Sequence, residues 1–166
     1  MNKNNTINIR AASCRPLFYN SKAGLLTIYE ENDVITGIYW QRRGDIQNEN
    51  KNLSYIAKWC INELDDYFNK RLMRFTVPIR LKGTDFQMLV WEELQKIPYG
   101  ETVSYKYIAE SINNPKAVRA VGAANSKNPI SIIVPCHRVI ASNGKLSGYA
   151  GGVDAKSFLI AHEAGG

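Results

Sequence analysis

The 166-residue chain reads as an α+β protein in two units, residues 1–80 and 81–166. Three observations predict this. The N-terminal part alternates β-branched and aromatic runs with turn-prone Asn, Ser, Gly and Asp clusters. A long amphipathic helical stretch follows. Beyond a connector with Pro78 and Gly83, the pattern changes to short capped helices around one Ile/Val-rich segment.

In the first unit, Ile7 to Tyr19, Leu25 to Tyr29 and Val34 to Trp40 read as strands. Residues 20–24 and 30–33 supply the turns, so the pattern is a β-meander. From Lys51 to Lys70, Leu53, Ile56, Ala57, Cys60, Ile61, Leu64 and Phe68 recur at three- and four-residue spacing. That is one face of a helix, predicted to cover the sheet. Cys60 lies on this face and Cys14 has no His or acid near it in sequence, so both read as packing residues. No catalytic constellation appears in this unit. Residues 71–83 form the connector, with Arg71, Arg74, Arg80 and Lys82 keeping it solvated.

The second unit opens with a capping box, Thr84 and Gln87, which satisfies two orphan backbone donors. Phe86, Leu89, Val90 and Leu94 give this helix its apolar stripe as far as Lys96, and Pro98-Tyr99-Gly100 stops it. Ser104 can cap a short helix from Tyr105 to Ser111. Asn114 can cap a second, Pro115 to Asn125, with Pro at its first position. Two short helices joined tightly look like a helix-turn-helix. The second is slim (Ala117, Ala120, Gly122, Ala123, Ala124) and carries Arg119. A close-packed core helix fits that composition as well, and Tyr105 can equally be a core aromatic. Ile130 to Val134 reads as a short buried strand that Pro135 ends. Residues 142–145 form a turn and Gly148 to Gly152 a loop whose one aromatic is Tyr149. Val153 to Glu163 closes the pattern as a helix with Phe158, Leu159 and Ala161 inside.

Composition narrows the function classes. The formal charge is +6 and the pI about 9.2, which suits a polyanionic partner such as nucleic acid. From Thr102 to Lys145 the cations are Lys106, Lys116, Arg119, Lys127, Arg138 and Lys145, against the single carboxylate Glu110. No apolar run is long enough to span a membrane, and Met1 to Asn5 has no signal-peptide character. Three cysteines without CxxC spacing argue for a reducing, cytoplasmic setting and against a disulfide framework or zinc site. No metal or other cofactor is expected.

Chemistry concentrates at Pro135-Cys136-His137-Arg138. A free thiol is only a few per cent ionised at neutral pH, and an adjacent imidazole and guanidinium would favour the thiolate. Adjacency is not geometry, however, because successive side chains on a strand point to opposite faces. The residues alone license a reactive cysteine beside the alternative of a buried structural one. Glu163 sits at a helix C-terminus, where the helix dipole disfavours a carboxylate. That calls for a partner, and His137 is the obvious one.

The runs Asn114 to Gly122, Asn128-Pro129, Pro135 to Val139, Gly148 to Gly152 and His162-Glu163 closely resemble the O6-alkylguanine-DNA alkyltransferases, the methylated-DNA–protein-cysteine methyltransferases of direct-reversal repair. The resemblance covers most of residues 84–163. Gly37 to Trp40 is similar to the family's N-terminal domain, and the lack of metal ligands resembles its bacterial branch. The fold this implies is an N-terminal ribonuclease H-like β-meander with a helix, then a mostly helical, winged helix-turn-helix-like domain.

By that resemblance Cys136 is the alkyl acceptor, His137 takes the thiol proton through a water, Glu163 orients His137, and Asn128 ties the recognition helix to the cysteine segment. Tyr105 drives nucleotide rotation and Arg119 fills the vacated stack. Tyr149 walls the base pocket, while the Val139 carbonyl and the Ala150 N–H meet the base edges, with Gly151 and Arg138 also at the DNA or base. The implied partner is double-stranded DNA containing O6-alkylguanine, entered from the minor groove by a monomer. Transfer would be irreversible and stoichiometric, with O4-alkylthymine left open. Ser157-Phe158 departs from the acid and Trp of many relatives, and Asn125 occupies a variable position. Two other readings remain: a module that binds alkylation damage without repairing it, which the presence of Cys136 disfavours, and a cysteine hydrolase, which leaves the Arg119 helix and the positive charge unexplained.

Overall fold

The computed structural model describes residues 16–41, 53–146 and 148–165. Cys14 and the start of the first expected strand lie outside them. Strands β1 (Leu17–Ser21), β2 (Gly24–Glu31) and β3 (Val34–Trp40) form an antiparallel meander in the order β1-β2-β3. Asn32 and Asp33 both have positive φ (49° and 59°), the conformation a tight two-residue hairpin requires. Helix α1 (Tyr55–Phe68) is capped by the Ser54 side chain and buries Ile56, Ala57, Cys60, Leu64 and Phe68, the face the periodicity predicts.

The outer edge of β3 is met by two passing segments rather than a fourth strand. Ile35 bridges Ile79, and Ile38 bridges Ile130, with Ile38 N donating to Pro129 O at 2.9 Å and Ser131 N to Ile38 O at 3.0 Å. The sheet thereby holds the segment that leads to Cys136. The connector is docked as well. The Glu63 carboxylate accepts from Thr76 N (3.0 and 2.9 Å) and Val77 N (3.0 Å), and Val77 is buried. This corrects the expectation of a solvated connector, because its arginines flank an apolar residue and two backbone donors that need a partner.

Helix α2 (Asp85–Leu94) begins with the expected capping box. Val90, Trp91 and Leu94 are buried, but Leu89 is exposed, which corrects its place in the stripe. Strand β4 (Val103–Ser104) leads directly into α3 (Tyr105–Ser111), capped by Ser104. The next helix, α4, covers Val118–Ser126, starting three residues later than expected. Asn113 (φ 55°) ends α3 instead: Asn113 N donates to Glu110 O and Asn114 N to Ala109 O (3.0 and 2.9 Å), a Schellman stop followed by Pro115. Trp91 Nε1 donates to Ala124 O at 2.9 Å and fastens α4 to α2. Strand β5 (Val139–Ile140) pairs in parallel with β4, Val103 opposite Val139. Helix α5 (Gly152–Ala164) buries Ala155, Lys156, Leu159 and Glu163, while Phe158 and Ala161 face outward, contrary to expectation. One buried apolar cluster runs from Leu26 of the sheet to Leu159 of α5.

Candidate active site

Residues 130–134 are not the expected strand. Ile132 has φ +73°, strained for a β-branched residue, and Ile133 N donates to Ser131 O across it at 2.9 Å. A second three-residue turn spans Pro135 (φ −82°, ψ 62°), closed by Cys136 N to Val134 O at 2.8 Å. The positive φ of Ile132 costs about 1–3 kcal/mol and persists only where surroundings over-determine it. Asn128 does so: Nδ2 donates to Val134 O (2.8 Å) and Ile130 O (3.4 Å), while Oδ1 accepts from Ile130 N (3.0 Å). β-Branched composition signals a strand, but the amide of Asn128 and the edge of β3 impose turns.

Cys136–Arg138 forms one turn of 3₁₀-helix. Its side chains project about 120° apart, which corrects the strand geometry expected for Cys136 and His137. Cys136 is 4% exposed and His137 is fully buried. His137 Nε2 donates to Glu163 Oε1 at 2.7 Å, as the helix-end argument anticipates. His137 Nδ1 makes no hydrogen bond among the described residues.

Glu163 collects more donors than sequence reasoning found. Tyr67 Oη reaches Oε1 from α1 at 2.7 Å. Arg138 Nη2 meets Oε1 at 3.0 Å and Arg138 Nε meets Oε2 at 2.8 Å. Gly100 N completes the set at 3.3 Å. Gly100 has φ +80°, and a Cβ there would stand 3.2 Å from Glu163 O, so only glycine brings this amide so close. Burial pushes the Glu163 carboxyl up, but the hydrogen bonds from His137 and Arg138 outweigh it and hold it well below the usual carboxylate range.

This network corrects the expectation that Arg138 touches DNA or base. Its guanidinium is buried, also donates to Ile97 O at 2.6 Å, and lies 5.7 Å from the centre of the Tyr99 ring. The arginine neutralises Glu163 instead of activating the thiol. Burial accordingly pushes the Cys136 thiol up, opposed by the Asn128 amide, Lys156 and Tyr149. Burial also pushes His137 down, against the pull of Glu163. Both directions favour a thiol beside a neutral imidazole over the thiolate that adjacency suggested.

Around the cysteine stand Tyr149, Tyr105, Lys156 and Asn125. Tyr149 is half-buried and its hydroxyl acts on the thiol. Tyr105 follows β4, whose pairing with β5 brings it beside the cysteine turn. Lys156, which sequence reasoning passed over, is fully buried. Its Nζ donates to Val139 O at 2.6 Å and lies 5.8 Å from the Tyr105 ring centre. The Val139 carbonyl is thus already engaged by Lys156. Asn125 is not a groove residue: it is 2% exposed and Nδ2 donates to Cys136 O at 3.3 Å. Arg119 is exposed on α4 together with Ala120 and Ala123, and Ala150 is exposed in the loop before α5.

A cysteine backed by a His–Glu pair and set behind a slim helix of a helix-turn-helix defines a group-transfer protein built to act on DNA. The ribonuclease-like domain of the 6-O-methylguanine DNA methyltransferases matches residues 16–81, and the DNA-binding domain of the same family matches residues 85–165. The chain belongs to that family, and its activity is DNA repair by alkyl transfer to a protein cysteine. A methylated-DNA–protein-cysteine methyltransferase of Mycolicibacterium paratuberculosis is 44% identical over 149 residues, 87% of this chain and 88% of that one. One of Methanosarcina mazei is 50% identical over 120 residues, 72% and 76% of the two chains. The crystal structure of Mycobacterium tuberculosis OGT in complex with DNA superposes with a TM-score of 0.80 at 41% identity, covering 89% of this chain and 91% of that one.

Proposed function

We propose that Cys136 accepts the alkyl group, that the substrate is O6-alkylguanine in double-stranded DNA, and that each molecule reacts once. The observation that carries this is the shared 3₁₀ turn of Cys136 and His137, with Glu163 locked behind the imidazole. His137 Nε2 is committed, so Nδ1 is the nitrogen left to receive the thiol proton through a water. The sulfur then forms a bond to the alkyl carbon as the carbon–O6 bond breaks. The electron pair leaves with guanine, which takes up one proton, for which the Tyr105 hydroxyl is the proposed donor. The imidazolium formed in this step is stabilised by the charged Glu163. The product is a thioether, and nothing in the site offers a second nucleophile to release it.

A stacked base cannot reach a sulfur this buried, so the nucleotide must rotate out at a cost of a few kcal/mol. Exposed Ala120 and Ala123 give α4 a thin edge suited to the minor groove, and Arg119 at its start is placed to fill the gap in the stack. The exposed cations Lys116, Lys127 and Lys145 would meet phosphates. Tyr149, the Ala150 N–H, Gly151 and the Val139 carbonyl form the base pocket, and Asn128 holds the turn that presents the thiol. The reading includes the division into units at 80/81, a monomer, and a cytoplasmic setting that suits the free thiols of Cys60 and Cys136.

Intact-mass measurement after mixing with excess duplex carrying one O6-methylguanine tests it, followed by peptide mapping. One methylene mass on Cys136, saturating at one per protein, is expected, with no gain in Cys136→Ala. Tight binding of the damaged duplex without any mass gain would refute it and leave the damage-binding module.

A further inference from the structure

Trp40, the last residue of β3, belongs to the unit that lacks the nucleophile, yet it lies under the loop that walls the base pocket. Its Nε1 donates to the Tyr149 hydroxyl at 3.2 Å across 109 residues of sequence. The two rings meet edge to face, with centroids 5.7 Å apart and planes at 63°. Gly151 rests on the same indole so closely that a Cβ would fall 2.6 Å from Trp40 Cδ2. On the sheet side, a Cβ on Gly24 would stand 3.3 Å from Trp40 Cζ3. The indole is therefore held between a hairpin glycine and a loop glycine, and it fixes both the ring and the hydroxyl direction of Tyr149. Without it, Tyr149 would lose its edge-to-face partner and Gly151 the surface on which it rests.

We propose that Trp40 is a positioning residue for alkyl transfer, setting the wall of the base pocket by clamping Tyr149 and Gly151 and thereby determining how tightly the alkylated base is held beside Cys136. This rests on the assignment of Cys136 as acceptor and Tyr149 as pocket wall. The inference gives the N-terminal unit a direct part in substrate recognition. An edge-to-face pair together with a neutral hydrogen bond corresponds to a change in affinity of about tenfold.

The test uses the full chain and free O6-benzylguanine as probe, with the saturation constant and the limiting rate of Cys136 benzylation read by mass, beside the rate of Cys136 alkylation by iodoacetamide. For Trp40→Ala the saturation constant is expected to rise about tenfold, with limiting rate and iodoacetamide rate within about twofold. Trp40→Phe keeps the ring, guards against a folding failure of the alanine variant, and should rise about threefold. Combining Trp40→Phe with Tyr149→Phe should add nothing to Tyr149→Phe alone, since both remove the same hydrogen bond. An unchanged saturation constant in folded Trp40→Phe and Trp40→Ala would overturn the proposal. So would a parallel fall in benzylation and iodoacetamide rates, which would mark a general disturbance of the cysteine turn. If the parent protein itself gains no benzyl group on Cys136, the assignment of the acceptor fails, a result distinct from any effect of Trp40.

Discussion

Replacing Glu163 with Gln should damage the fold before it damages the chemistry. The carboxylate accepts from Tyr67, His137 and Arg138 on one oxygen and from Arg138 and Gly100 on the other. Whichever way an amide turns, its NH₂ confronts donors, and Arg138 is left charged and 8% exposed without a counter-ion. Removing one partner of a buried ion pair costs about 3–5 kcal/mol, a large share of the roughly 5–15 kcal/mol that holds a protein folded. For a chain of this length that lowers Tm by roughly 6–20 °C. Urea unfolding near neutral pH, followed by two spectroscopic probes, measures it. The pH dependence gives a second reading. The Glu163 carboxyl lies below its unfolded value, so its contribution is complete above about pH 4.3 and is lost as pH falls further. The parent's advantage over Glu163→Gln should shrink in that acidic window. A loss below about 1 kcal/mol at neutral pH would refute the view that Glu163 is the electrostatic centre of the site.

Tyr67→Phe removes one donor and leaves the charge neutralised, so it should cost about 1–2 kcal/mol, well under Glu163→Gln; an equal or larger loss in the same urea experiment would reverse that ranking. Asn128→Ala releases the turns before Cys136 and should cost about 2–3 kcal/mol while slowing Cys136 alkylation, read by peptide mapping; full retention of both would show that the turns hold themselves. Burial raises the thiols of Cys60, to about 12, and of Cys136, above an unfolded value of about 8.5. Their contribution is complete below that value and disappears as pH rises through the folded ones, so urea midpoints should fall from about pH 8.5 upward, and less steeply in Cys60→Ala. Arg119→Ala should slow reaction with duplex O6-methylguanine at least tenfold more than with free O6-benzylguanine; equal loss on both substrates would remove its role in the stack.

Local chemistry made some of this fold legible. Ser104 and the Thr84–Gln87 box mark helix starts because their partners lie within three residues. Strand β3 has the bounds that its β-branched and aromatic run predicts. Glu163 betrayed its need for a partner by standing at the wrong end of a helix dipole. What stayed hidden depended on distance. Tyr67 and Trp40 reach the site across 96 and 109 residues, and no local pattern connects such pairs. Arg138 looked like a surface cation because its neutralising carboxylate lies 25 residues away. The segment from Ile130 to Val134 has the composition of a strand, and a side-chain amide and a sheet edge, both outside it, turn the backbone. Asn113-Asn114-Pro115 misled for a different reason, since asparagine serves both to cap a helix and to end one.

The spread of the Glu163 ligands along the chain has a consequence for when the thiol becomes reactive. Tyr67, Gly100, His137 and Arg138 all precede Glu163, by 96, 63, 26 and 25 residues. During synthesis, Cys136 and His137 therefore emerge before the group that orients the imidazole. Until α5 docks against α1, the His137 imidazole lacks the Glu163 carboxylate that fixes it. If Cys136 is the acceptor, its oriented base exists only once the most distant parts of the sequence have met.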